Sequence, residues 1–267
     1  MRRALLTWIA AAALLQAQSL EERGKKVVDD AIAALGGQKF LDMQDRIETG
    51  RAYSFFHDQI SGLSVAKIYT RYIAVPAGRS GIDLGVQERE AFGKNEDYYV
   101  LFRQEGAWEV TFRGPKELEK DRVQRYRDTT LNNVLYIFRQ RLHEPGIIFE
   151  SRGSDVVENQ PVDVVDITDS QNRVVKVYFH QTTKLPVQQF WVWRDPQTKE
   201  REEEVTRFSR YRQVNGIQWP QQIHRERNGE KVYEIFSESV TVNQQLADNL
   251  FAIPGPDAKP APPPRKK

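Results

Sequence analysis

The chain has no cysteine, two methionines and four histidines among its 267 residues. Without thiols no disulfide can staple the fold, so the hydrophobic core alone must hold it, which is feasible at this length. Without thiols, too, a zinc site would have to come from His57, His143, His180 and His224, and no two of them have the i, i+4 spacing of a helical metal site. Other absences narrow the chemistry further. There is no Gly-x-Ser-x-Gly elbow, no Gly-Lys-Ser/Thr phosphate loop and no dinucleotide fingerprint. Asp163, Asp166 and Asp169 lack the glycine and closing glutamate of a calcium loop. Carboxylates are plentiful, but a run such as Lys199 to Glu204 reads as a solvated hairpin end. The expectation is a protein with no catalytic residue, no cofactor and no metal, and not an enzyme.

Long apolar runs are missing as well. The longest, Ala4 to Leu15, has about a dozen residues where a spanning helix needs ~20. Arg2 and Arg3 precede it and Gln16-Ala17-Gln18-Ser19 follow, which is the form of a secretory signal peptide over residues 1–19, cut after Ala17 or Ser19. No cysteine follows to carry a lipid anchor, so the expected product is not an integral membrane protein. An excess of charge is also absent. The chain carries 39 basic and 37 acidic residues, and loss of the two signal arginines leaves 37 of each. A balanced mature chain has no broad attraction to nucleic acid, and none is expected as a partner.

Hairpin grammar is what the sequence has in quantity. Leu20 to Leu35 is an amphipathic helix, with Val27, Val28, Ala31, Ile32 and Leu35 on one side and Gly36-Gly37 as its stop. Strand candidates follow at 47–56, 64–74, 81–92, 98–102 and 107–112. A helical middle is expected from Gly114-Pro115, charged as far as Arg127. Asp128 or Thr129 then caps a second helix with the stripe Leu131, Val134, Leu135, Phe138 and Leu142. From Ile147 the pattern is a meander of strands at 147–151, 162–168, 174–180, 187–194, 203–212, 221–227, 231–236 and 239–242. Its links are short and include Asn215-Gly216 and Asn228-Gly229, so neighbours must run antiparallel. Pro254 to Lys267, with six prolines in fourteen residues and the basic end Arg265-Lys266-Lys267, reads as a disordered tail.

A sheet of ten or more strands curls to manage its edges. The predicted fold class is therefore α+β, mainly antiparallel β: a curved, incompletely closed half-barrel with helices covering an apolar concavity, in one domain over residues 20–253. Val175, Val177, Phe179, Val187, Trp191, Trp193, Phe208 and Ile223 are the candidate lining of that concavity. The same residues serve equally as core between sheet and helix. Glu204, Arg207, Arg210, Arg212, Arg225 and Arg227 are expected on the outer, solvent-facing surface.

Three features together give a resemblance. They are the helix ending in Leu35-Gly36-Gly37, the segments VYFHQTTKLPVQQFWVW and FSRYRQVNGIQWPQQIHRERNG, and Val242-Asn243 with Leu250-Phe251 and Pro254 beyond. In order of elements the chain resembles the periplasmic outer-membrane lipoprotein carrier and sorting proteins (LolA-like), including relatives that sense mislocalised lipoproteins. The resemblance implies a LolA-like half-barrel, a periplasmic location and a non-enzymatic binding or carrier role for a lipid or lipidated protein. An envelope interaction or sensor module, working through a sheet edge or the tail, is the alternative. No individual ligand residue can be carried over, and the charged segment 115–127 and the Pro-rich tail depart from the pattern.

Overall fold

The computed structural model describes residues 19–74, 84–195 and 198–255. Nearly all of the expected signal segment (residues 1–18) and of the Pro-rich tail lies outside the described residues.

Ser19 starts the first helix, α1 (Leu20–Leu35), through a capping box in which its hydroxyl accepts from the Glu22 N–H and the Glu22 carboxylate accepts from the Ser19 N–H. Gly36, at φ 128°, ends it. A single turn, α2 (Gln38–Leu41), leads to β1 (Asp45–Phe56), β2 (Gln59–Tyr72), β3 (Val86–Phe92), β4 (Tyr98–Phe102), β5 (Ala107–Thr111) and β6 (Gly114–Glu117). Helix α3 (Lys120–Leu131) and the short α4 (Val134–Tyr136), continued by a wider π turn over Ile137–Arg141, interrupt the strands. Then come β7 (Ile148–Val157), β8 (Gln160–Thr168), β9 (Val174–His180), β10 (Pro186–Arg194), β11 (Arg201–Val214), β12 (Ile217–Arg227) and β13 (Glu230–Val242).

All thirteen strands form one antiparallel sheet in the order β6-β5-β4-β3-β2-β1-β13-β12-β11-β10-β9-β8-β7. Eleven of the twelve neighbouring pairs are consecutive in sequence; the twelfth, β1 with β13, joins the two ends of the described chain. β6 and β7 do not pair, so the sheet is open, as expected. It is nonetheless strongly curled. Glu90 on β3 and Arg225 on β12 are four strands apart in the sheet, yet close enough to act on each other's charge.

Three expectations need correction. Gly114-Pro115 does not open a helix; it forms the edge strand β6, with Pro115 opposite Val110, where a missing N–H is harmless. The second helix is capped not by Asp128 or Thr129 but by Asn133, whose side chain accepts from the Leu135 and Tyr136 N–H groups. Leu131 therefore leaves the expected stripe and packs near Leu84, Val86 and Tyr136. Finally, 231–236 and 239–242 are one strand with a bulge. The shift falls at Gly50, where a Cβ would sit 2.1 Å from the Phe236 carbonyl oxygen, so only glycine fits.

The main core lies on the inner face of β7–β12. Val28, Ala31, Ile32 and Leu35 of α1 and Val134, Leu135 and Phe138 around α4 pack there against Val165, Val177, Phe179 and Phe208. Gly24 lets α1 cross β7 at backbone contact; a Cβ would come within 2.3 Å of the Phe149 carbonyl oxygen. On the convex side, the chain after β13 folds back so that Leu246, Leu250 and Phe251 cover Tyr69, Tyr99 and Leu101. Asp45 fixes that return by accepting from the Gln244 and Leu246 N–H groups.

Candidate functional site

The concave face divides into two parts. Under α1 and α4 it is filled. Val175, Val177, Phe179, Trp191 and Phe208, five of the eight residues expected to line a cavity, are buried there against helix side chains. The void recorded beside them, bounded by Ile137, Ile167, Asp169 and Val175, is only about 10 Å³. Buried Gln189 supports the arrangement by accepting from the Val134 N–H at 2.8 Å. At the rim of this zone Arg141 and Arg173 both pair with Asp169, at 2.9 and 2.7 Å.

The other part lies between α1 and α3, on the inner face of β12, β13, β1, β2 and β3. Alternation places Ile223, Ile235, Ala52, Ala66, Ile68 and Phe92 on one floor. Ala52, Ala66 and Ile235 are buried, whereas Ile223, Ile68, Phe92 and Tyr233 keep accessible surface. Helix α3 covers the far end only loosely. None of its residues is fully buried, and its main hold is Tyr126, stacked on Phe102 with centroids 3.6 Å apart.

Ionisable groups ring this floor. Arg46 pairs with Glu48, donates to Thr70 and lies 4.3 Å over the Trp219 ring. Thr70 donates in turn to Glu88 at 2.8 Å. Burial, then the neighbouring Glu88 charge, pushes the Glu90 carboxyl up to about 8. Burial likewise raises Glu88, Tyr126 and Tyr233. Glu90 is thus mostly protonated at neutral pH, and its end of the floor is less charged than its sequence suggests.

Of the remaining expected lining residues, Ile223 reaches this second zone with surface to spare, whereas Trp193 on β10 stays at the edge of the first, stacked on Trp191. Val187 goes elsewhere. A register shift between Pro186 and Gln188 breaks the alternation, and Val187 lines a cleft of about 400 Å³ with His224, Glu226 and Arg207, which occupy the outward face of their strands. That cleft's charges are already matched internally: Glu226 accepts from Arg207 at 2.8 Å and sits 2.9 Å from His224. The histidines stay apart, as His57 meets Glu230 and the His180 ring accepts from the Thr182 and Thr183 N–H groups.

The largest correction concerns charge. Glu204, Arg225 and Arg227, expected outside, face inward beside Trp191 and Trp193; Glu204 is 0% exposed. Arg207, Arg210 and Arg212 do face outward. Along β12 one face reads Ile223, Arg225, Arg227 and the other Gln222, His224, Glu226, so polarity alone did not distinguish inside from outside.

No protein-family model matches the chain, and no curated protein matches its sequence. Solved structures do share the fold. A DUF1329 family protein from Desulfovibrio piger superposes with a TM-score of 0.55 at 14% identity, over 86% of this chain and 97% of that one. A domain from Vibrio parahaemolyticus named for outer membrane lipoprotein sorting gives 0.51 at 12% identity, with the same coverage. A LolA superfamily protein from Nitrosomonas europaea gives 0.46 at 13% identity, again over 86% and 97%. The first two share this chain's fold, which is the open, curled antiparallel sheet anticipated from the hairpin pattern.

Proposed function

We propose that this protein is a non-enzymatic, exported binding or carrier protein that holds the acyl chain of a lipid or lipidated protein on its concave face. The observation that carries the reading is the partly accessible apolar floor that Ile223, Ile68, Phe92 and Tyr233 form around the buried Ala52, Ala66 and Ile235. Burying an acyl chain there contributes about 0.8 kcal/mol per CH₂, so affinity needs no reacting group. Trp193 and Ile223 form one end of the guest's path. Four of the core residues under α1 and α4, Val175, Val177, Phe179 and Phe208, meet a guest only if those helices lift, whereas Trp191 sits at their edge, stacked on Trp193. The shared fold supports the reading, and the lipoprotein-sorting name of the Vibrio parahaemolyticus domain suggests the ligand class. The signal-like N-terminus supports export, and a periplasmic location of the mature chain is part of this reading.

The test is native mass spectrometry of the protein purified from its own envelope, together with uptake of a fluorescent fatty acid. Bound lipid and saturable uptake are expected, both lost in Ala66→Trp, which fills the floor. No lipid and no uptake by the unaltered protein would end the proposal.

A second reading rests on a different surface. β2 extends beyond β3, whose pairing begins at Ala66, and the overhang exposes Ile60, Leu63 and Val65 at 62, 59 and 50%. An unpaired, apolar strand edge can add a partner's strand. Ile60→Lys with Leu63→Lys would abolish pull-down of an envelope partner while leaving fatty-acid uptake intact.

A further inference from the structure

The charged cluster at one end of the floor has hydrogen-bonding capacity that the protein does not use. Trp191 pairs across strands with Glu204, and Glu204 with Arg227. The Glu204 carboxylate is shared by two guanidiniums, with Arg227 at 3.1 Å and the Arg225 Nε at 3.6 Å. Even so, the Nε1 of Trp191 and the Nε atoms of Arg225 and Arg227 are buried without hydrogen-bond partners. Glu204 Oε1 is the one acceptor in the group in the same condition. Each such donor forfeits the hydration it had in water and gains no hydrogen bond in return. Arg225 Nε lies 3.6 Å from that Glu204 oxygen, which leaves the Trp191 indole N–H on β10 and the Arg227 Nε on β12, two strands apart, as donors for an acceptor oxygen from elsewhere.

The cluster is also reachable. The Arg225 and Arg227 side chains are 27% and 23% exposed, held over the rings of Tyr233 and Trp193 at 5.3 and 5.6 Å. Trp193 is stacked on Trp191 at 4.2 Å, which fixes the wall. Of the nearby acids, Glu202 is engaged by the Asn228 side chain at 2.7 Å, and Glu90 faces Arg225 across the concavity. Arg225 stands two residues from Ile223 and opposite Tyr233, so the cluster borders the apolar floor directly. From β12 to β3 that floor spans four strand spacings, roughly 19 Å, a length suited to one extended acyl chain.

Resting on the carrier reading, the geometry points to an anionic oxygen head, a carboxylate or a phosphate, bound by Arg225, Arg227 and the Trp191 indole N–H while its acyl chain lies along Ile223, Ile68 and Phe92. The guest is an acidic amphiphile. A neutral alcohol or ester of equal length makes the same apolar contacts and leaves the guanidinium charges unmet.

The experiment measures equilibrium binding of radiolabelled palmitic acid and hexadecanol to the full mature chain, with inorganic phosphate as a third arm. The acid is expected to bind at least tenfold more tightly than the alcohol. Arg225→Gln with Arg227→Gln should erase that preference. Because Glu204 is then unpaired and the variant risks misfolding, Trp191→Phe provides the second measurement. It removes the indole N–H together with part of the ring, and should weaken the acid several-fold more than the alcohol. Equal binding of acid and alcohol by the unaltered protein overturns the head-group assignment and leaves the carrier reading standing. Binding of neither overturns both. Phosphate binding as tight as palmitate overturns the coupling of the anion site to an acyl chain.

Discussion

The two parts of the concave face are built on the same sheet and differ in what covers them. Beneath α1 and α4 the inner side chains are aliphatic and aromatic, the helices approach to backbone contact at Gly24, and almost no space remains. Beneath α3 and the uncovered stretch beside it the floor is partly accessible and ringed by Arg46, Glu48, Glu88, Glu90 and Arg225. One sheet thus supplies both the core that stabilises the protein and the surface available to a guest. The division follows the helices: a helix with a continuous apolar stripe dries the strands below it, and α3, with a strongly charged sequence, does not.

This contrast can be broken most severely on the filled side. Phe138→Ala, in the tightest part of the core, is expected to cost about 3–5 kcal/mol, read as a lowered urea midpoint; a loss below ~1 kcal/mol would mean that the two parts do not differ in packing. Next in size is an effect of pH on the open side. Glu90 has a folded pKa of about 8 against the ordinary 4.5 of a glutamate, so its contribution to stability is complete below about 4.5 and is lost as pH rises toward 8. The melting temperature should fall across that window and then level off. Glu90→Gln should flatten the fall, and an unchanged profile would show that Glu90 does not carry it. Tyr126→Ala removes the stacking that holds α3, worth about 0.5–1.5 kcal/mol beyond area. It should leave the core melt nearly intact while increasing amide exchange in α3 alone. The smallest effect is Ser19→Ala, which removes the α1 cap for about 1 kcal/mol. Sequencing the mature N-terminus sharpens it: cleavage after Ala17 keeps the capping serine, and cleavage after Ser19 discards it.

Much of the fold was legible. α1, β4 and β9 fall at the expected bounds because each has a strong local signal: a capping serine and Gly36 for the helix, and short apolar runs between turn residues for the strands. The hairpins at Asn215-Gly216 and Asn228-Gly229 were equally plain, since positive φ is required at both. The helical middle was less so. Pro115 has a φ that suits either a first helical turn or an edge strand, and only pairing with β5 decided between them. The candidate site was the least legible part. Trp193 and Ile223 were placed on the correct face by alternation, but the same alternation gave no reason to turn Glu204, Arg225 and Arg227 inward, because β12 carries polar residues on both sides.

Local chemistry by itself determined the periodicity, the turns and the helix ends, and with them an antiparallel sheet too long to stay flat, because each depends on side chains within a few residues of one another. Which charges ended inside was decided only when β13 closed onto β1 and the sheet curled. That step brought Glu90 toward Arg225 from more than 130 positions away, and the energy of a buried charge depends on such distant neighbours and on the loss of water around it.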